Sequence, residues 1–290
     1  MSERTSNRIF DIVNIVCVTL FVLFCIAPFL HVIAVSLSSN RAITSGEVTI
    51  FPIELNWDAY INVFSDNAMI RSLIFTIILT VATTVLCMLF TIAAAYPLTK
   101  NSLKGRKFFM YVIIVTMFFS GGIIPEYLLI RDLHMLNSVW SLILPGLVSP
   151  FNLIILISFF NNIPPSLEES AEIDGSSHFR TLLSIVLPLS MPVMATLALF
   201  YAVGRWNGFQ DSLMYINNPD LYPLQLKLFQ MVQNNMVSEL TQMEGANRTP
   251  LTPESLKAAT VIFATVPILA VYPWLQKYFV SGVMLGAVKG

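Results

Sequence analysis

Asn161-Asn162-Ile163-Pro164-Pro165-Ser166-Leu167-Glu168-Glu169-Ser170-Ala171-Glu172-Ile173-Asp174-Gly175, running on through Ser176 to Ile185-Val186-Leu187-Pro188, is a polar interruption between two apolar runs. Ser166 reads as an N-cap, with Glu169 three residues later as its capping-box partner. A short helix over 167–173 follows, with acidic residues at the end that the helix dipole favours. Gly175 can take a left-handed conformation and turn the chain sharply. A second amphipathic stretch over 179–187 then leads to Pro188 and back into apolar sequence. The expected product is a helix–turn–helix finger at a membrane surface. Its exposed face is expected to be small and acidic, suited to a groove in another protein.

The flanks explain why a membrane is expected. Apolar residues make up 56% of the 290 and charged residues 11%, against roughly 45–50% and about 25% in soluble domains. Net charge is −1 with no Lys/Arg block, so a disordered chain, a coiled coil and a basic nucleic-acid binder are all excluded. A helix needs about 20 mostly apolar residues to cross the hydrocarbon. Six runs qualify: 12–37, 73–96, 108–130, 139–160, 189–209 and 258–279, the fifth interrupted near its end by Arg205. They are too long for barrel strands, so an all-α bundle of six transmembrane helices in a single domain is predicted. The sixth has a good start signal in Thr252, Pro253 and Glu254. Arg4 and Arg8 precede the first run, which is longer than a signal-peptide core and reads as a retained anchor.

Lys100, Lys104, Arg106 and Lys107 crowd the loop after the second run with no acid among them. The positive-inside rule puts that loop in the cytoplasm. Both termini and the 161–188 loop then fall inside, and 38–70, 131–138 and 210–257 outside. Acidic residues including Glu47, Glu54, Asp211 and Asp220 lie in those outer segments. Cys17, Cys25 and Cys87 lie within runs, without metal-ligand spacing, and read as small apolar packers. His31, His134 and His178 are scattered and suggest no metal or proton relay.

The spacing Glu169-x-Ala171, three residues, Gly175, nine residues, Ile185, one residue, Leu187-Pro188 resembles the EAA loop of bacterial ABC-importer permeases. Ser170 departs from the usual second-position alanine, and it is small enough for a groove that takes alanine. Glu172-Ile173-Asp174-Gly175-Ser176 and the ending Gly286-Ala287-Val288-Lys289-Gly290 resemble the carbohydrate-uptake branch. Together with that tail, Gly121-Gly122-Ile123-Ile124-Pro125 is similar to the YtcP/LplC-like subgroup. The resemblance covers essentially the whole chain. It implies a type I ABC-importer permease fold in the bacterial cytoplasmic membrane. It also implies that Glu169, Ser170, Ala171, Asp174, Gly175, Ile185, Leu187 and Pro188 form a coupling element seated on an ATPase subunit. The implied partners are a second, homologous permease in a heterodimer, two ATPase subunits, an extracytoplasmic solute-binding protein and an oligosaccharide. This chain has no GxxxxGK[ST] phosphate loop, so no cofactor is expected on it; ATP and Mg belong to the ATPase subunits. It is expected to be a non-catalytic translocation subunit.

Sugars are recognised by aromatic faces and planar polar groups. Tyr201, Arg205, Trp206 and Asn207 at the end of the fifth run supply both, and Tyr201 and Arg205 share a helix face. Interfacial anchoring is the competing reading for the Arg and Trp. Asn152 is a lone polar residue in the fourth run, fit for an interhelical hydrogen bond or a ligand contact. Glu126, Arg131 and Asp132 read as a solvated cluster. Prolines at 28, 145, 150, 192, 267 and 273 suit either kinks or packing. The 210–257 segment is long and polar, with a turn at 217–220. The resemblance implies that it contacts the solute-binding protein, with 56–60 beginning a second docking element, a short helix with Tyr60, Val63 and Phe64 on one side. A self-sufficient secondary transporter or channel would need intramembrane carboxylates or inverted repeats, and the runs offer almost none of the first and none of the second. A membrane enzyme would need HExxH, GxSxG or an intramembrane Asp pair, none of which is present.

Overall fold

A computed structural model describes the backbone of residues 2–242 and 252–287, and side chains over 10–233, 252–271 and at 273. The tail residues Val288, Lys289 and Gly290, used above for the family resemblance, lie outside the described residues. The described secondary structure is helical throughout. In order come α1 (Ser2–Ser36), α2 (Asn40–Thr44), α3 (Asp58–Ser65), α4 (Asn67–Thr99), α5 (Arg106–Phe118), α6 (Ile123–Asp132), α7 (Trp140–Ile143) and α8 (Pro150–Asn161). They are followed by α9 (Pro165–Ile173), α10 (His178–Thr181), α11 (Leu187–Leu189), α12 (Met191–Asn207), α13 (Gln210–Tyr215), α14 (Leu224–Gln242) and α15 (Pro253–Ala287). A 3-10 turn over Leu144–Gly146 and a π-helical turn over Leu182–Val186 join their neighbours.

Among the described residues three helices are long and apolar enough to cross a membrane: Phe10–Ser36, Asn67–Thr99 and Pro253–Val271. Three helix pairs reach the same standard only together, and each is bent. Arg106–Phe118 and Ile123–Asp132 meet at 115°, Trp140–Gly146 and Pro150–Asn161 at 48°, and His178–Leu189 and Met191–Asn207 at 84°. The third and fourth apolar runs are therefore broken helices, where hydropathy alone suggests continuous ones, and the fifth is bent at Ser190, where the second arm of the 161–188 loop meets α12. The breaks fall at Gly121-Gly122, between Pro145 and Pro150, and between Pro188 and Pro192. Proline removes a backbone donor and crowds the preceding turn, which is the usual cause of a sharp kink.

Contacts divide the chain into two compact units, Met1–Ile70 with Lys227–Pro267, and Arg71–Leu226 with Ile268–Gly290. In the first unit, α3 is held by its own side chains. The Tyr60 hydroxyl and Ser36 Oγ lie 2.7 Å apart, Val63 is buried, and Phe64 meets Phe263 edge-on at 5.2 Å. Tyr60 is thus already engaged, which leaves Phe64's outward side as the exposed part of the face predicted for docking. Thr252 does stand just before α15, but its hydroxyl reaches Asn40 Oδ1 at 3.2 Å. Part of the predicted 210–257 loop is helical, as α13 and α14; residues 243–251 lie outside the described residues.

The second unit is built on an apolar cluster of α4, α8 and α12, centred on Leu98, Leu156, Val193 and Leu197, into which Leu182 and Val186 also insert. Small polar side chains stitch this interior. Thr76 Oγ1 accepts from the Leu224 amide at 2.7 Å, and Thr91 Oγ1 meets the Tyr201 hydroxyl at 2.7 Å. Such bonds replace water for polar groups inside an apolar bundle.

Candidate functional site

The finger is real, but it is capped differently from the sequence expectation. Helix α9 starts at Pro165, whose missing N–H costs nothing in the first turn; Pro164 takes the cap position and Ser166 lies inside the helix. The turn is closed by main-chain hydrogen bonds. The Ser176 amide donates to the Ala171 carbonyl at 2.9 Å and the Gly175 amide to the Glu172 carbonyl at 3.0 Å. Gly175 sits at φ +77°, which makes this a Schellman closure with glycine at its left-handed position. Ser177 then caps α10 by accepting from the Arg180 amide at 3.3 Å.

The surface of the finger is less acidic than expected. Ile173 is 86% exposed and Phe179 70%, flanking the turn, with Leu167 also outward. Glu169, Ser170 and Asp174 are exposed, whereas Ala171 is buried. The finger's presented face is an apolar tip with acidic flanks. A small residue at 171 is required because it packs inward.

Two joints hold the finger to the unit. Leu182 and Val186 lie in the apolar cluster of α4, α8 and α12, with Leu187 packed against it. Ile185 is half-buried and Pro188 sits at the 84° elbow, where buried Ser190 donates its hydroxyl to the Val186 carbonyl at 2.7 Å. At the other joint, Lys100 at the end of α4 pairs with Glu168 of α9, and its ammonium lies over the Tyr96 ring, 4.4 Å from the centroid. Burial draws the Lys100 ammonium below its ordinary pKa, and the negative charge of Glu172 opposes that shift.

At the opposite ends of α8 and α12 lies a cavity of about 1000 Å³. It opens at two of the breaks and at the end of α12: Ile123 and Glu126 come from α6, Pro145, Gly146 and Ser149 from the break before α8, and Tyr201, Arg205, Asp211 and Tyr215 from the end of α12 and from α13. The Tyr201 hydroxyl serves the break, because it accepts from the Ser149 amide at 3.1 Å and meets Thr91. Cys87 Sγ donates to the Gly146 carbonyl at 3.4 Å. The kink is thereby satisfied from neighbouring helices.

Among the predicted pathway residues, Asn152, Tyr201, Arg205 and Asn207 line this cavity. Trp206 does not: it is buried outside the lining. On a helix one residue onward is about 100° around, which turns Trp206 away from the face that Tyr201 and Arg205 share. Arg205 is neither an interfacial anchor nor a free cation. It is buried, donating through Nη1 to Asp211 at 2.5 Å and the Leu142 carbonyl at 2.9 Å, and through Nη2 to Asp211 at 3.1 Å and the Gly208 carbonyl at 3.3 Å. Asn152 is 5% exposed, and its side-chain amide makes no hydrogen bond among the described residues. Glu126 faces the cavity, while Arg131 and Asp132 pair with each other on the surface. Sequence reasoning missed Asp211 and the rings of Phe151, Phe209 and Tyr215. A readable signal existed in Arg205–Gly208–Asp211, three residues apart across the end of a helix.

Comparisons with known proteins agree with this architecture. The model for "Binding-protein-dependent transport system inner membrane component" matches residues 78–284. Protein LplC of Bacillus subtilis is 43% identical, covering 100% of this chain and 98% of its own. The polygalacturonan/rhamnogalacturonan transport system permease protein YtcP of the same organism is 40% identical, over 98% and 99%. A crystal structure of a bacterial ABC transporter involved in the import of the acidic polysaccharide alginate superposes with TM-score 0.86 at 31% identity, covering 94% of this chain and 98% of that one. The matched model takes in the finger, its two joints and the whole cavity, and on that ground the chain belongs to the family of binding-protein-dependent transport system inner membrane components.

Proposed function

We propose that this permease forms one half of the passage of an ATP-driven oligosaccharide importer in the bacterial cytoplasmic membrane. The finger at 161–188 receives the motion of an ATPase subunit, and the cavity at the other ends of α8 and α12 is this chain's share of the sugar path. Six crossings, three of them bent, put both termini and the finger on the cytoplasmic side, where Lys104, Arg106 and Lys107 also lie. The remaining parts are a second, homologous permease, two ATPase subunits that carry ATP and Mg, and an extracytoplasmic solute-binding protein. The sugar reading draws on relatives named for polygalacturonan and rhamnogalacturonan transport and on the cavity's aromatic and amide lining.

One observation carries this reading: Leu182 and Val186 at the root of the finger lie in the same apolar cluster as α4, α8 and α12. The 12 residues of α8 and the 17 of α12 span roughly 18 and 25 Å at 1.5 Å per residue. Close-packed interiors respond to a push at one end by moving as bodies. A self-sufficient ion-coupled transporter is disfavoured, because the buried charge among the described residues is Arg205, already paired with Asp211.

The test is Gly175→Val in the complete transporter. Membrane insertion and complex assembly are expected to persist while ATP hydrolysis no longer drives uptake. Normal uptake by that variant would remove the coupling role from the finger.

A further inference from the structure

Three formal charges line the cavity: Glu126, Arg205 and Asp211. Each of the four terminal N–H groups of Arg205 has an acceptor, two on Asp211 and one each on the carbonyls of Leu142 and Gly208. The fifth, on Nε, is buried without surface to offer. The guanidinium therefore has no free edge for a ligand carboxylate, although a bidentate edge is what makes arginine a carboxylate receptor. Asp211 also cancels its charge. Glu126 remains, exposed and without an ion pair among the described residues. Burial raises the Tyr215 phenol above its ordinary pKa, and the charges of Glu126 and Asp211 push the same way. The neutral lining is suited to hydroxyls and ring faces: the amide of Asn152, which makes no hydrogen bond among the described residues, and the side chains of Asn207, Gln210, Phe151 and Tyr215.

We propose that this subunit's side of the passage favours uncharged, hydroxyl-rich sugar units and repels uronates, so that any carboxylate on the cargo is met by the second permease. This rests on the importer reading above. It assigns Glu126 and Asp211 as specificity-determining residues: Glu126 by direct repulsion, Asp211 by occupying the arginine.

The experiment uses the complete transporter in proteoliposomes, with its own binding protein throughout so that the binding protein's selectivity cancels between variants. Trimers of galactose and of galacturonate compete for ATP-dependent uptake. Glu126→Gln and Asp211→Asn are each expected to raise the galacturonate-to-galactose uptake ratio roughly threefold to tenfold, the scale of one screened charge at close range. Glu126 is exposed, so its variant carries the test alone if Asp211→Asn does not assemble. An unchanged ratio in Glu126→Gln, with trimers still imported, overturns the selectivity assignment and leaves the importer reading standing. No import of either trimer by the wild type overturns the oligosaccharide reading, and the selectivity assignment with it.

Discussion

At the residue scale, the Arg205–Asp211 pair decides how the end of α12 holds together. Asp211→Ala leaves a guanidinium buried without its counter-charge, a loss that costs about 3–5 kcal/mol in comparable sites. Thermal unfolding of the purified protein in detergent should show that loss, and replacing both partners with apolar residues should cost much less. Gly208 belongs to the same arrangement. A Cβ built there would stand 2.7 Å from Arg205 Nη2 and 3.1 Å from its Cζ. Gly208→Ala must therefore push the guanidinium off its acceptors, and about 1–3 kcal/mol of destabilisation is expected. Tyr201→Phe removes the acceptor for the Ser149 amide and the partner of Thr91, leaving polar groups unsatisfied at a helix break. An unchanged melting temperature in that variant would mean the hydroxyl does not hold the kink.

At the scale of elements, the finger separates shape from contact. A Cβ at Gly175 meets nothing within 4 Å, so substitution strains the backbone rather than the packing. Left-handed geometry costs an ordinary residue roughly 1–2 kcal/mol, and asparagine tolerates it best. Gly175→Asn should therefore retain much more coupled uptake than Gly175→Val; equal loss in both would point to a partner pressed against that position. The joint between Lys100 and Glu168 makes a second prediction. Lys100→Glu and Glu168→Lys are each expected to lower uptake per ATP hydrolysed, and the double exchange to restore it. Failure of the exchange to rescue would mean the pair is not what ties α9 to α4.

At the scale of the whole chain, topology follows from the crossings. Single cysteines at Ser166 and Asn218, in a background lacking Cys17, Cys25 and Cys87, should react from opposite sides of the membrane with an impermeant maleimide. Labelling from one side would overturn the six-crossing scheme. Much of this architecture was legible beforehand because apolar run length and glycine spacing are local signals. The run 73–96 lies within α4, and Gly175 stands at the predicted turn. What the residues did not reveal was set by partners distant in sequence. Tyr201 reads as a sugar platform until Thr91 and Ser149 claim its hydroxyl, and Arg205 reads as an anchor until Asp211 folds back onto it. Ser166 failed as a cap because Pro165 suits the first helical position better. Proline spacing hinted at bends but could not give their angles, which depend on which neighbours accept the freed backbone groups.

The main-chain closure of the finger has an evolutionary corollary. Since main-chain bonds close the turn and small polar side chains such as Ser177 cap its second arm, Ile173 and Phe179 at its tip carry no duty toward its shape. Mutation can redraw what the tip recognises without loosening the spring that bears it. Under the coupling proposed above, a permease built this way changes motors, or shares one with its cousins, by drifting at a few outward side chains.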